Sequence, residues 1–255
     1  MEVNMNKLTN RILSMVLAVL MLVGAMPGIT LPVTSVNAEN TVVTKTSTGK
    51  VYDFESDTVG EMPANFTATN HKKEQTTVQV SEEGNGNKAL YINNTSGKPT
   101  ITMPITPQTG TFTIGFRVKY VSDADSTQST IALTDGSNQT FTLLEQKGLL
   151  KNHNGSAWVN LMTSYERNVW YTVNAVINVQ SGTFDMTIQP EGGETKTLTN
   201  FPFRVKNVSA INTFSIALAG NTVAEMYLDD IYVPIVNNVP ETPVEPDTPT
   251  NPDDS

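Results

Sequence analysis

Between residues 51 and 233 the hydrophobic side chains fall into short runs, and none keeps a helical period of 3.6 over a useful length. The runs either alternate apolar with polar or are rich in β-branched residues. They occupy residues 51–55, 76–80, 89–93, 100–105, 111–121, 129–135, 140–145, 149–152, 157–161, 170–179, 183–189, 195–198, 213–219 and 226–233. Turn signals separate them, among them Gly84-Asn85-Gly86, Asp135-Gly136-Ser137, Asn152-His153-Asn154-Gly155 and Gly192-Gly193. Gln180-Ser181-Gly182, between two alternating runs, predicts a tight hairpin.

Two runs show which face is buried. In residues 170–179, Tyr171, Val173, Ala175, Ile177 and Val179 form an apolar set, and Trp170, Thr172, Asn174, Val176 and Asn178 form the other face. In residues 111–121, Phe112, Ile114, Phe116, Val118 and Tyr120 share a side. Many short antiparallel strands with one buried face predict an all-β, two-sheet antiparallel β-sandwich of the jelly-roll kind. No internal repeat suggests a propeller or a β-helix.

The two ends read differently from the middle. Lys7 and Arg11 precede the apolar stretch Ile12 to Met26, then Pro27-Gly28, then the small-residue site Val36-Asn37-Ala38. This predicts a secretory signal peptide over residues 1–38, cleaved after Ala38. The apolar run is shorter than the roughly 20 residues a spanning helix needs, so the processed chain is expected to be free of the membrane. From Val239 onward, Pro240, Pro243, Pro246, Pro249 and Pro252 recur every third residue among Glu, Asp and Thr. That pattern predicts an extended acidic linker over residues 239–255. The β-sandwich domain is then residues 39–238. A linker leads to something, so the chain reads either as the front of a longer modular protein or as a shortened product.

Charge and composition narrow the chemistry. The 255 residues carry 16 Lys plus Arg against 25 Asp plus Glu, a net charge of −9. A basic face for nucleic acid is not expected. With no Cys there is neither a disulfide framework nor a thiolate site, and an exported chain of this kind fits a bacterial source. Only His71 and His153 could supply imidazole, too few for a multi-histidine zinc centre. No Gly-Xaa-Ser-Xaa-Gly elbow and no phosphate-binding loop occurs.

Near the start stands Val51-Tyr52-Asp53-Phe54-Glu55-Ser56, followed by Thr58-Val59-Gly60-Glu61-Met62-Pro63. Near the end stands Met226-Tyr227-Leu228-Asp229-Asp230-Ile231-Tyr232-Val233. Between them lie Asn168-Val169-Trp170-Tyr171-Thr172-Val173, Thr183-Phe184-Asp185-Met186-Thr187-Ile188 and Phe201-Pro202-Phe203-Arg204. This order resembles the concanavalin A-like, laminin-G-like jelly rolls attached to bacterial enzymes that act on polysaccharides. The resemblance implies a non-catalytic carbohydrate-binding or accessory module. Related modules hold a structural calcium between a Glu of the first strand and an Asp of the last. On that resemblance Glu55 and Asp229 are the candidate Ca²⁺ ligands, with Asp53 and Asp230 secondary. Hard carboxylate oxygens suit that ion, and solvated strand-end carboxylates without a metal are the alternative.

The same fold carries glucanases with a Glu-x-Asp-x-x-Glu strand, a spacing that no Glu here begins. Glu82-Glu83 falls in a turn, Asp123 and Asp125 in a loop, and His71 in a polar segment, so no enzymatic activity is expected of this chain. Sugar recognition needs a flat ring beside hydrogen-bonding side chains. Trp158 is the first candidate, Tyr165 the second, and Asn152 and His153 are polar contacts just before Trp158. Burial in the sandwich is the alternative for each ring, and the resemblance implies a packed structural role for Trp170. The expectation is a polysaccharide-binding module that is secreted or held at the cell surface. One rival is the leading part of a secreted lyase or glycoside hydrolase whose catalytic domain lies beyond Ser255. The other is an adhesion domain with a protein ligand.

Overall fold

A computed structural model of the chain describes residues 49–122, 128–219 and 223–234. The expected signal peptide and linker, and with them Asp123 and Asp125, lie outside the described residues. Fifteen β-strands account for the regular structure there. One sheet runs β13 (Lys196–Pro202), β12 (Thr183–Pro190), β11 (Trp170–Asn178), β6 (Thr111–Tyr120), β15 (Ala224–Pro234), β4 (Lys88–Asn94) and β3 (Thr76–Glu82), and β1 (Gly49–Tyr52) also pairs with β15. The other runs β10 (Trp158–Met162), β9 (Leu149–His153), β8 (Gln139–Gln146), β7 (Gln128–Thr134), β14 (Ile211–Leu218), β5 (Thr100–Gln108) and β2 (Thr67–Thr69). Strand neighbours are antiparallel, so the expected two-sheet sandwich is what forms.

The core follows the pleat. Phe112, Ile114, Phe116 and Val118 of β6 point inward beside Tyr171, Val173, Ala175 and Ile177 of β11. Phe116 meets Phe214 of the opposite sheet at 5.7 Å between ring centres, and Phe141 meets Phe184 at 5.1 Å. Each such side chain contributes on the order of 1.5–3 kcal/mol of burial free energy. Val176, on the other parity of β11, is exposed.

At the expected calcium residues alternation fails at both ends of the domain. β1 stops at Tyr52, because Phe54 takes a positive φ of 58° and turns its ring under Phe66, 5.9 Å away. Asp53 and Glu55 therefore do not share a strand face. In β15 the register against β6 slips between Asp229 and Tyr232, and Asp230 adopts φ 49°. This is a β-bulge. Before it Met226 and Leu228 face the core; after it Ile231 and Val233 do. Asp229 thus lies on the face opposite Ile231 and Val233, where unbroken alternation would put all three on one face.

Candidate functional site

The first and last strands lie side by side, with Tyr52 opposite Ile231. The acidic residues brought to that end are each engaged separately. Asp53 Oδ1 accepts the Glu55 N–H at 3.3 Å, and Glu55 Oε1 accepts the Lys88 N–H at 3.0 Å. Asp230 pairs with Arg117 at 3.8 Å. Asp229 is buried and accepts from Asn87 Nδ2 at 3.1 Å and from the Asp230 N–H at 2.7 Å. Burial, reinforced by the Asp230 charge, pushes its carboxyl up to about 7.

The Lys88 ammonium donates to the carbonyl oxygens of Glu55 at 2.9 Å and Asp57 at 3.0 Å. A calcium ion needs about 6–8 oxygens converging on it. Here a lysine nitrogen already takes the backbone carbonyls, and among the described residues no three acidic or imidazole side chains converge. The arrangement of Glu55, Asp229, Asp53 and Asp230 does not fit a calcium ion.

The exposed aromatic site lies on the edge of the other sheet. β9 and β10 pair so that His153 faces Trp158 and Lys151 faces Asn160. Leu150 and Asn152, on the opposite parity of β9, are buried, so these four residues point outward. Trp158 keeps 36% of its surface exposed. The His153 ring stands perpendicular to the indole at 5.0 Å, and the Arg204 guanidinium lies 5.2 Å from the indole centre.

Local backbone chemistry builds this cluster. Asn154 Oδ1 accepts the N–H groups of Ser156 and Ala157, closing the turn between β9 and β10. Gly155 in that turn has φ +89°, and a Cβ there would stand 3.2 Å from the Phe203 carbonyl oxygen. Any other residue at this position would strain the turn where it lies against the Phe203–Arg204 backbone. The Arg204 N–H bonds to Thr140 O at 2.9 Å, and its Nη1 donates to Gln139 Oε1. His153 Nδ1 accepts the Gly155 N–H at 3.1 Å, which leaves the neutral ring's proton on Nε2. Burial and then the Arg204 charge hold this imidazole below its ordinary range.

Two expected contacts do not belong to this surface. Asn152 is buried, with Oδ1 accepting from Thr142 Oγ1 at 3.2 Å and Nδ2 unpartnered. Tyr165 lies between Tyr120, 5.2 Å away, and Tyr171, 6.3 Å away, and its hydroxyl donates to buried Glu145 at 3.0 Å. Burial and the Glu145 charge drive that hydroxyl well above the ordinary tyrosine range. Its polar sequence neighbours suggested an exposed ring, but the buried carboxylate draws it inward.

Trp170 is packed, as expected, although against the outer face of its sheet and not in the core. Its Nε1 donates to Glu83 Oε2 at 3.2 Å, while Arg117 and Lys119 lie over the ring. Lys119 also covers Tyr227 and pairs with Glu83. His71 is half-buried, with Nε2 2.8 Å from the Thr76 carbonyl oxygen. The residues that sequence reading missed are Lys151, Asn160 and Arg204. The alternation of β9 and β10 was a signal for the first two; nothing local ties Arg204 to Trp158.

No protein-family model matches the chain, and no curated protein matches it. Among solved structures, a sialidase superposes with a TM-score of 0.58 at 16% identity, covering 74% of this chain and 19% of that one. The likeness is one of fold, a two-sheet antiparallel jelly-roll sandwich. This chain spans about a fifth of the sialidase's length. The alginate lyase from Aplysia kurodai superposes at 0.49 with 10% identity, over 69% of this chain and 98% of the lyase. The seed lectin of Lotus tetragonolobus gives 0.45 with 8% identity, over 68% and 95%. At these identities the likeness is one of fold. A shared fold does not fix a ligand, so ligand chemistry has to come from the side chains.

Proposed function

We propose that this chain is an exported, non-catalytic module that binds a polysaccharide through the outward edge formed by β9 and β10. The observation that carries this reading is Trp158: a partly exposed indole set among His153, Asn160 and Arg204, the ring-plus-polar combination that pyranose recognition requires. The ring stacks on the apolar face of a sugar, and His153 Nε2 and the Asn160 amide serve its hydroxyls. The repeated-proline tail tethers the module, so a weak single-site affinity suffices to hold a linked or neighbouring enzyme near its substrate.

Retention in affinity electrophoresis on a panel of plant and microbial polysaccharides tests this. The wild-type chain is retarded on at least one polymer, and Trp158→Ala abolishes the retardation with an unchanged melting temperature. Retention that survives the substitution would remove Trp158 from the site. Release of new reducing ends or of unsaturated products by the pure chain would overturn the non-catalytic assignment.

A further inference from the structure

The charge around Trp158 differs in sign from that of the chain, whose net charge is −9. Arg204 and Lys151 both reach this surface. Each is held by a neutral amide: Arg204 Nη1 donates to Gln139 Oε1, and Lys151 Nζ donates to Gln146 Oε1 at 2.9 Å. The Gln146 amide is itself braced on Gln128 at 3.2 Å. The ion pairs among the described residues are elsewhere, at Arg117–Asp230 and Lys119–Glu83. The only carboxylate on β8, β9 or β10 is Glu145, which points inward and is 1% exposed.

An amide oxygen orients a cation without cancelling its charge. Holding two cations on glutamines in a strongly acidic protein leaves a local positive field beside the exposed Trp158 indole. A guanidinium fixed in this way keeps donors free for a planar anion.

We propose that the polysaccharide bound at this edge is acidic: a sugar stacks on Trp158 while separate carboxylates or sulfates along the polymer meet Arg204 and Lys151. The inference rests on the carbohydrate-binding reading and adds the ligand's charge. A neutral sugar would gain nothing from the charge of either cation, whereas an acidic one supplies the counter-charge that neither has among the described residues.

Binding of the full chain is measured against polygalacturonate, the same polymer after carboxyl reduction, a sulfated galactan and an uncharged galactan, at low and high salt. The expected result is at least about tenfold preference for an acidic polymer over its neutral counterpart, lost in high salt. Arg204→Gln and Lys151→Gln each weaken acidic-polymer binding about tenfold while leaving the melting temperature unchanged. The better of the two acidic polymers tells carboxylate from sulfate. Equal affinity for polygalacturonate and its reduced form, with binding intact, overturns this inference and leaves the carbohydrate reading standing. Absence of binding to all four polymers and to the wider polysaccharide panel overturns both.

Discussion

Lys88 gives the most direct test of what holds the loop after β1 to β4. Lys88→Met keeps the aliphatic stem and the backbone N–H bond to Glu55 Oε1, and deletes only the ammonium that bonds the carbonyls of Glu55 and Asp57. Hydrogen bonds to a charged group contribute about 1.5–3 kcal/mol each when buried. Glu55 is exposed and Asp57 and Lys88 are half-buried, so water replaces much of what is lost. The expected cost is about 1–2 kcal/mol for the pair of bonds. In a domain of this size each kcal/mol moves the midpoint by about 2–4 °C, so the variant melts about 2–8 °C lower. Thermal unfolding followed by circular dichroism reads this for both proteins, with EDTA and with millimolar CaCl₂. The wild type is expected to melt identically in the two solutions, because the Lys88 ammonium already occupies those carbonyl oxygens. A wild-type midpoint that rises with calcium and falls with EDTA would refute the reasoning, as would a variant with an unaltered midpoint.

Other expectations follow from single groups. Asp229, with its carboxyl raised to about 7, takes up a proton more readily folded than unfolded. Its contribution to stability is therefore complete below about pH 4 and lost as the pH rises through 7, and Asp229→Asn should flatten that decline in a pH series of denaturant titrations while changing little at pH 4. Gly155→Ala places a side chain at φ +89° and against Phe203 O, so it should cost about 1–3 kcal/mol in urea unfolding and loosen polysaccharide binding by displacing Arg204 from Trp158. The Tyr120 hydroxyl is buried without a hydrogen-bond partner, so Tyr120→Phe should raise stability by about 1 kcal/mol in the same assay; a loss of that size would mean the hydroxyl is bonded.

The sequence by itself determined the all-strand architecture and the buried faces of β6 and β11, because a period of two with apolar residues on one parity admits one way of facing a core. The polar residues around Trp158 singled it out as a candidate ring, and the pairing of β9 with β10 placed it and His153 outward. Alternation missed the bulge at Asp229–Asp230 and the turn at Phe54, since each depends on one residue entering the positive-φ region, which leaves no mark in the hydrophobic pattern. Tertiary structure alone decided how the acidic ends are used, because a lysine from β4 reaches the loop after β1. It also decided that Tyr165 turns inward to Glu145 and that Arg204, distant in sequence, lies beside Trp158. Those outcomes rest on non-local pairings whose energies depend on which polar groups lose water together, and strand periodicity says nothing about that.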